Sequence, residues 1–199
     1  MLRDYLPAHI QKDFIISFFF LIFLYGITHN SYMYPEPKPV PGNWSIQKLQ
    51  HPLFFGLAGH NYIVLKDQTG TIVSELHGLA TDPVTGLWKY IGTEPTDLLR
   101  VWEFDETRYY LAEKSFPGVI IAEGDKDTII SKWTAGLACK EKINQRYIPY
   151  PPYGFRITDE TENSNSVAYT LTLCMGADVR HIGFITPGAR SNLLEPLEN

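Results

Sequence analysis

Short runs of β-branched, aliphatic and aromatic residues recur through the middle of the chain and predict a sheet. Clusters of Gly, Pro, Asp and Thr separate these runs, which is the spacing typical of antiparallel strands joined by turns. The expected strands are residues 53–57, 61–66, 71–76, 87–91, 98–104, 108–112 and 119–122. We therefore expect an antiparallel sheet between residues 53 and 122.

Two later regions place apolar residues three or four positions apart, which predicts helices with one apolar face. The first region runs from Asp125 to about Arg146. The second begins with Asn163 or Ser164 as its N-cap and ends at Gly176, since glycine commonly terminates helices. Together with the sheet, these helices indicate an α+β fold.

The N-terminal segment is apolar on every face. Residues 14–27 are uncharged, and this run is shorter than the roughly 20 residues that span a bilayer. Because no small-residue cleavage site follows, we expect residues 1–30 to be an uncleaved signal anchor that attaches the protein to a membrane. A cleaved signal peptide, which would leave a secreted protein, and a buried helix of the domain are the alternatives. Arg3 and Lys12 precede the run and the next basic residue is Lys38, so the positive-inside rule predicts that the remainder faces outside the cytoplasm.

The region after the apolar segment predicts an extended spacer followed by one domain. Proline occupies every second position from Pro35 to Pro41, which stiffens the backbone and removes amide donors. We expect residues 31–50 to form a proline-rich linker. Residues 51–199 are then expected to form one domain, since about 150 residues is the usual size.

Charge and cysteine content exclude two classes of protein. The net charge is −5 and the 17 basic residues are dispersed along the chain, so no nucleic-acid partner is expected. Cys139 and Cys174 are too few for a disulfide scaffold and lack the spacing of a metal site. Each is expected to be a small buried thiol, and pairing of the two in an oxidising compartment is the alternative.

Two histidines and one serine are the candidate chemical groups. If the hairpin turn centres on Gln68 and Thr69, His60 lies directly opposite His77 on one face of the sheet, close enough for the two imidazoles to share a hydrogen bond. Ser164, read alone, is an N-cap of its helix. The functional interpretation is that a histidine activates Ser164 as a nucleophile while amides at the helix N-terminus stabilise negative charge on a substrate carbonyl.

The order of these motifs resembles the circularly permuted papain-like hydrolases, in which the histidine precedes the nucleophile. That broad group includes lecithin retinol acyltransferase and the PPPDE-type deubiquitinating peptidases. The resemblance covers roughly residues 51–196 and is carried by Gly59-His60, residues 75–80, Asn163-Ser164-Asn165-Ser166, and Pro187-Gly188 before residues 192–194. It implies a permuted papain-like arrangement with His60 as general base, His77 as the orienting residue and Ser164 where the family usually has cysteine.

The resemblance implies hydrolysis or acyl transfer at an amide, ester or thioester carbonyl of a peptide or acyl substrate, without a cofactor. Backbone amides near Asn165 and Ser166 are expected in the oxyanion site, and Glu162 at its entrance. Ser166 is a weaker candidate nucleophile because its side chain points elsewhere on the helix. A metal site at the two histidines and Glu75 would lack a fourth ligand.

Because Ser164 stands where the family usually has cysteine, two alternatives to an enzyme remain. An alcohol needs concerted proton removal, whereas a thiol beside an imidazole is readily ionised. A non-enzymatic module that binds a ligand or peptide with the same fold, after losing the thiol, is therefore one alternative. A structural envelope protein with incidental histidines is the other. The sequence leaves the substrate and the oligomeric state open.

Overall fold

The structure is a computed structural model of the chain, and it describes residues 35–53, 58–108, 110–111, 116–154, 162–182 and 186–195. Within these ranges six strands form one antiparallel sheet: Trp44–Leu53 (β1), Ala58–Lys66 (β2), Ile72–Thr81 (β3), Trp88–Lys89 (β4), Leu98–Asp105 (β5) and Gly118–Gly124 (β6). Two α-helices follow, Lys126–Gln145 (α1) and Ser164–Cys174 (α2), with a short 3-10 turn at Pro152–Gly154 between them. The expected α+β class with an antiparallel sheet is confirmed.

Strand β3 has different neighbours at its two ends. Residues 72–76 pair with β2, whereas Ala80 and Thr81 pair with β4 on the same edge of β3. Strand β5 runs along the opposite edge from Ser74 to Thr81. Within the described part of the chain, the edge of β3 between Leu76 and Ala80 therefore has no strand beside it.

Strand β1 differs from the expectation that residues 31–50 form a linker. It lies between β2 and β6, and residues 45–50 are all buried, including the polar Gln47, Lys48 and Gln50. A strand buried on both faces lacks the alternation of apolar and polar residues that marks a half-exposed strand. The expected linker is therefore wrong for residues 44–50, because β1 begins at Trp44.

The structure also differs from the prediction at two expected strands, residues 53–57 and 108–112. Leu53 is the last residue of β1, and residues 54–57 lie outside the described residues. Arg108, Tyr110 and Leu111 form bends instead of a strand. The backbone amides of Tyr110 and Leu111 donate to the carboxylate of Glu75, so these amides are not available to a neighbouring strand.

The two helices pack closely against each other and are covalently joined. Asp125, at the predicted start of α1, is its N-cap, and Gly136 lies where α1 meets the end of α2. A Cβ atom at Gly136 would be 2.1 Å from the Cε atom of Met175, so a larger residue here would require the end of the Met175 side chain to move. Cys139 and Cys174 form a disulfide with a Cα–Cα distance of 6.2 Å, which replaces the expectation of two separate thiols.

The predicted signal anchor, residues 1–30, lies outside the described residues. Among the helices that the structure describes, none has both the length and the apolar character needed to cross a bilayer.

Candidate active site

The register between β2 and β3 differs from the predicted one. Ile63 pairs with Leu76, and continuing that register would set Tyr62, not His60, opposite His77. The expectation that His60 lies directly opposite His77 is therefore wrong by two residues. The turn at Asp67–Thr71 is closed by a hydrogen bond from the amide of Asp67 to the carbonyl of Thr71, and an irregularity at Leu65 and Lys66 adds a further shift. A shift of two residues keeps both histidines on the predicted face.

The first turn of α2 lies where β2 and β3 have separated. The backbone amide of Asn61, on β2, donates to Oδ1 of Asn165 at 3.0 Å. On β3, a Cβ atom added to Gly78 would be 2.9 Å from Cα of Ser164 and 2.7 Å from Cβ of Val167. The helix N-terminus is therefore in contact with both strands at the gap between them.

Asn163, rather than Ser164, caps α2. Its Oδ1 accepts hydrogen bonds from the amides of Asn165 and Ser166 at 2.8 and 3.4 Å. The hydroxyl of Ser166 donates to the carbonyl of Asn163 and accepts from its amide, which completes a capping box. The side chain of Ser164 is thus not needed as the cap.

The capping box changes the expected oxyanion site. The amides of Asn165 and Ser166 already donate to Asn163, and the Ser166 side chain is fully buried. The amide of Ser164, at the first helical position, has no acceptor among the described residues. The first amides of a helix have no intrahelical partner. The free donor closest to the proposed nucleophile is therefore the amide of Ser164 itself.

The two histidines and Glu75 form a chain of contacts on β2 and β3. Nε2 of His60 lies 3.0 Å from Nδ1 of His77, within hydrogen-bond distance. Nε2 of His77 lies 3.5 Å from Oε2 of Glu75. Glu75 and His77 are two residues apart on β3, so their side chains share one face. From the sequence alone, Glu75 was considered only as a ligand of an incomplete metal site. Its spacing of two residues from His77 on one strand is the sequence signal that could have indicated its place in this site.

Burial and aromatic contacts hold His77 in one orientation. Its ring stacks on that of Tyr62 with 4.4 Å between ring centroids. It makes T-shaped contacts with the rings of Tyr110 and Phe104, with centroid distances of 4.9 and 5.6 Å. Burial lowers the pKa of His77, although Glu75 opposes that shift. Burial also lowers the pKa of His60 well below its usual value, and the neighbouring His77 adds to the effect. Both imidazoles are therefore neutral at pH 7, and each carries one ring proton.

His60 and Ser164 line the same cavity of about 240 Å³. Their exposed fractions are 8% and 6%, so both are almost completely buried. No hydrogen bond joins the two side chains among the described residues, and such contacts are often longer without substrate. The wall is mostly apolar and aromatic: Leu53, Ala58, Gly59, Leu79, Tyr90, Ile91, Tyr110, Tyr150, Tyr153, Gly154 and Pro187, together with Asn163 and Asn165.

Several other candidate residues have roles that differ from those expected. Asn165 lines the cavity, and it also joins α2 to the C-terminal segment through a hydrogen bond from Nδ2 to the carbonyl of Pro187 at 3.1 Å. Glu162 is half-buried and is not among the residues lining the cavity. Tyr150 and Tyr153 line the cavity, whereas Tyr147 is 83% exposed and outside the cavity wall.

Two further observations bear on the chemistry. Within the described residues, no group of three or more His, Cys, Asp or Glu side chains is arranged to hold a metal ion. No family model, curated protein or solved structure matches the chain. The functional interpretation therefore depends on the geometry of the cavity and the residues around it.

Proposed function

We propose that the protein is a hydrolase or acyltransferase that acts at an amide, ester or thioester carbonyl. Ser164 is the nucleophile, His60 is the general base and His77 orients His60. The observation that carries the proposal is the hydrogen-bonded pair of His60 and His77 beside a cavity that Ser164 also lines. A base oriented by a third residue and facing a nucleophile is the arrangement on which covalent catalysis depends.

The proposed reaction begins when Nδ1 of His60 takes the hydroxyl proton of Ser164 as Oγ bonds to the carbonyl carbon. The carbonyl oxygen becomes negative, and the amide of Ser164 and the positive end of α2 stabilise that charge. The intermediate then expels the leaving group, which receives the proton from His60 and leaves an acyl group on Ser164. Water or another acceptor then attacks this ester while His60 takes its proton. As the ester bond breaks, His60 gives that proton to Oγ of Ser164, which releases a free acid or a transferred acyl group.

The location proposed for this reaction is outside the cytoplasm. Residues 1–30 would anchor the chain in the membrane, and the domain would face the envelope or the exterior, where peptides and acyl compounds are substrates. The disulfide between Cys139 and Cys174 supports an oxidising compartment, because intracellular reductants keep such thiols reduced. We also propose the permuted papain-like arrangement for the domain, supported by a histidine strand that precedes the nucleophile helix.

A binding module of the same fold is the second candidate. It is favoured by two facts: residue 164 is serine rather than cysteine, and no hydrogen bond joins His60 to Ser164 in the described part of the site. In this case the aromatic cavity would hold a ligand, or an extended peptide, without breaking a bond. The two candidates differ in whether the hydroxyl of Ser164 is activated.

The full chain, in detergent, is treated with a fluorophosphonate probe and the modified peptide is identified by mass spectrometry. We expect labelling at Ser164, abolished by Ser164→Ala and slowed about 10²- to 10⁴-fold by His60→Ala, because general-base catalysis contributes that factor. Ser131→Ala and His181→Ala change the same residue types at exposed positions and should label at the wild-type rate.

A Ser164→Cys variant separates the two candidates further. Near a helix N-terminus and an imidazole, the new thiol should react with iodoacetamide below pH 7, since both features lower a thiol pKa. A folded wild-type chain without labelling, together with a Ser164→Cys thiol of ordinary reactivity, would reject the enzyme and favour the binding module.

A further inference from the structure

The hydrogen bond between His60 and His77 can be made in two directions. In the first, Nε2–H of His60 donates to Nδ1 of His77, which leaves Nδ1 of His60 with a lone pair. In the second, Nδ1–H of His77 donates to Nε2 of His60, and the proton of His60 then sits on Nδ1. Only the first direction leaves His60 able to accept a proton from Ser164, so the direction decides whether the site can work.

The surroundings of Glu75 favour the first direction. Glu75 is fully buried, and its Oε2 accepts hydrogen bonds from the amides of Tyr110 at 2.8 Å and Leu111 at 3.2 Å. An oxygen that accepts from two amides is typical of a charged carboxylate. The same oxygen lies 3.5 Å from Nε2 of His77. A proton on that nitrogen is attracted to the carboxylate, whereas a lone pair there would face a negative charge inside the protein.

We propose that Glu75 is a positioning residue that keeps the proton of His77 on Nε2, so that His77 accepts from His60 and Nδ1 of His60 remains unprotonated. Glu75 acts through His77 and does not touch the cavity, since it is not among the lining residues. The functional meaning of this inference rests on the proposed function, but the proton positions themselves do not. Glu75 thereby extends the candidate triad of Ser164, His60 and His77 to four residues, and it fixes which nitrogen of each histidine carries the proton.

The ring proton positions can be measured without any catalytic activity. The full chain, labelled with ¹⁵N-histidine and held in detergent at pH 7, is studied by long-range proton–nitrogen correlation NMR, and His60→Gln and His77→Gln assign the signals. We expect Nε2 protonated and Nδ1 unprotonated in both rings, with about a tenfold preference, because a proton on Nε2 of His77 is attracted to the buried carboxylate. A proton on Nδ1 of His77 would overturn the proposal.

Two substitutions at Glu75 separate the hydrogen-bond acceptor from the charge. In Glu75→Gln the amide oxygen should stay where Tyr110 and Leu111 donate while the charge is lost, so both rings should keep their proton positions with a smaller preference than in the wild type. In Glu75→Leu the acceptor is lost, and we expect the reversed tautomers to reach a population comparable to the original. Unchanged tautomers in a folded Glu75→Leu chain would contradict the role of Glu75.

The same samples separate this inference from the proposed function. If the wild-type tautomers are as expected but fluorophosphonate does not label Ser164, the role of Glu75 stands and the enzyme proposal fails. If Ser164 is labelled while His77 carries its proton on Nδ1, the enzyme proposal stands and Glu75 has another role. Should Glu75→Leu fail to fold, a Glu75→Gln chain with the same tautomer preference as the wild type would contradict the role of the Glu75 charge.

Discussion

Strands β2 and β3 form two regions, and the backbone hydrogen-bonding groups are satisfied differently in each. In the paired region, Ile63–Lys66 and Ile72–Leu76 satisfy each other's backbone groups, and the side chains on the helix side form the core. In the open region the strands separate, and the amide of Asn61 is satisfied by the side chain of Asn165. The first region stabilises the fold, whereas the second gives access to polar side chains.

The open region shows how a single sheet can create a site. The strand edge that β2 leaves beside Gly78 is filled by the first turn of α2 and, further along, by β4. His60 and His77 lie on one face where β2 and β3 separate, and the helix places Ser164 in the wall of the cavity that His60 also lines. The chemistry is therefore concentrated where strand pairing ends, and the following predictions test the two regions separately.

The largest effect is expected in the paired region, from Leu76→Ala. Leu76 is fully buried in the main core, and truncation of such a residue removes apolar contacts and leaves a cavity. The free energy of unfolding should fall by about 2–5 kcal/mol, measured by urea denaturation. Fluorophosphonate labelling of the fraction that remains folded should be unchanged. Loss of labelling without loss of stability would show that the two regions are not separable.

Local patterns in the sequence predicted some of these features correctly. The start of α1 at Asp125 was recognisable, and the cap of α2 was narrowed to Asn163 or Ser164, because capping depends on neighbouring residues. The shared face of His60 and His77 also followed from the alternation of side chains along strands. In each case the deciding contacts lie within a few residues or within one hairpin.

Features that depend on distant contacts could not be predicted in this way. Strand β1 has buried polar residues such as Gln47 because neighbours cover both of its faces. The separation of β2 from β3 depends on contacts with α2, which is about a hundred residues away in the sequence. The hydrogen bond between Asn61 and Asn165 is one such contact. Glu75 was visible beside His77, but its two amide donors come from a bend that looked like a strand.

An intermediate effect is expected in the open region, from Gly78→Ala. The added Cβ would lie 2.9 Å from Cα of Ser164, so either the helix N-terminus or β3 must move. We expect a loss of about 1–3 kcal/mol in the free energy of unfolding, since overpacking costs that much. Labelling of Ser164 should fall strongly in the folded protein, because the displacement is at the nucleophile.

Gly124→Ala is the matched control for this substitution. No heavy atom lies within 4 Å of a Cβ added at Gly124, at the end of β6. The change in stability should therefore stay within about 0.5 kcal/mol, and labelling should be unaffected. If Gly78→Ala behaves like this control, the helix N-terminus is not packed against β3 as described.

A separate effect on stability is expected from pH. Burial lowers the pKa of both His60 and His77 in the folded protein, so below the usual value of 6.5 the unfolded chain binds protons that the folded one does not. Stability should therefore fall as the pH decreases below about 6.5, by at most about 1.4 kcal/mol per pH unit for each histidine. Urea denaturation between pH 7 and 5, above the range of most carboxylates, measures this slope.

His60→Gln sharpens this measurement because it removes one of the two titrating groups while keeping a polar side chain of similar reach. The decrease in stability between pH 7 and 5 should become about half as steep, since His77 is then the one buried histidine of this pair whose pKa is still lowered by folding. His181→Gln, at an exposed position, should leave most of the slope in place. An unchanged slope in His60→Gln would mean that the pKa of His60 is the same in the folded and unfolded chains, which would contradict the burial of this side chain beside His77.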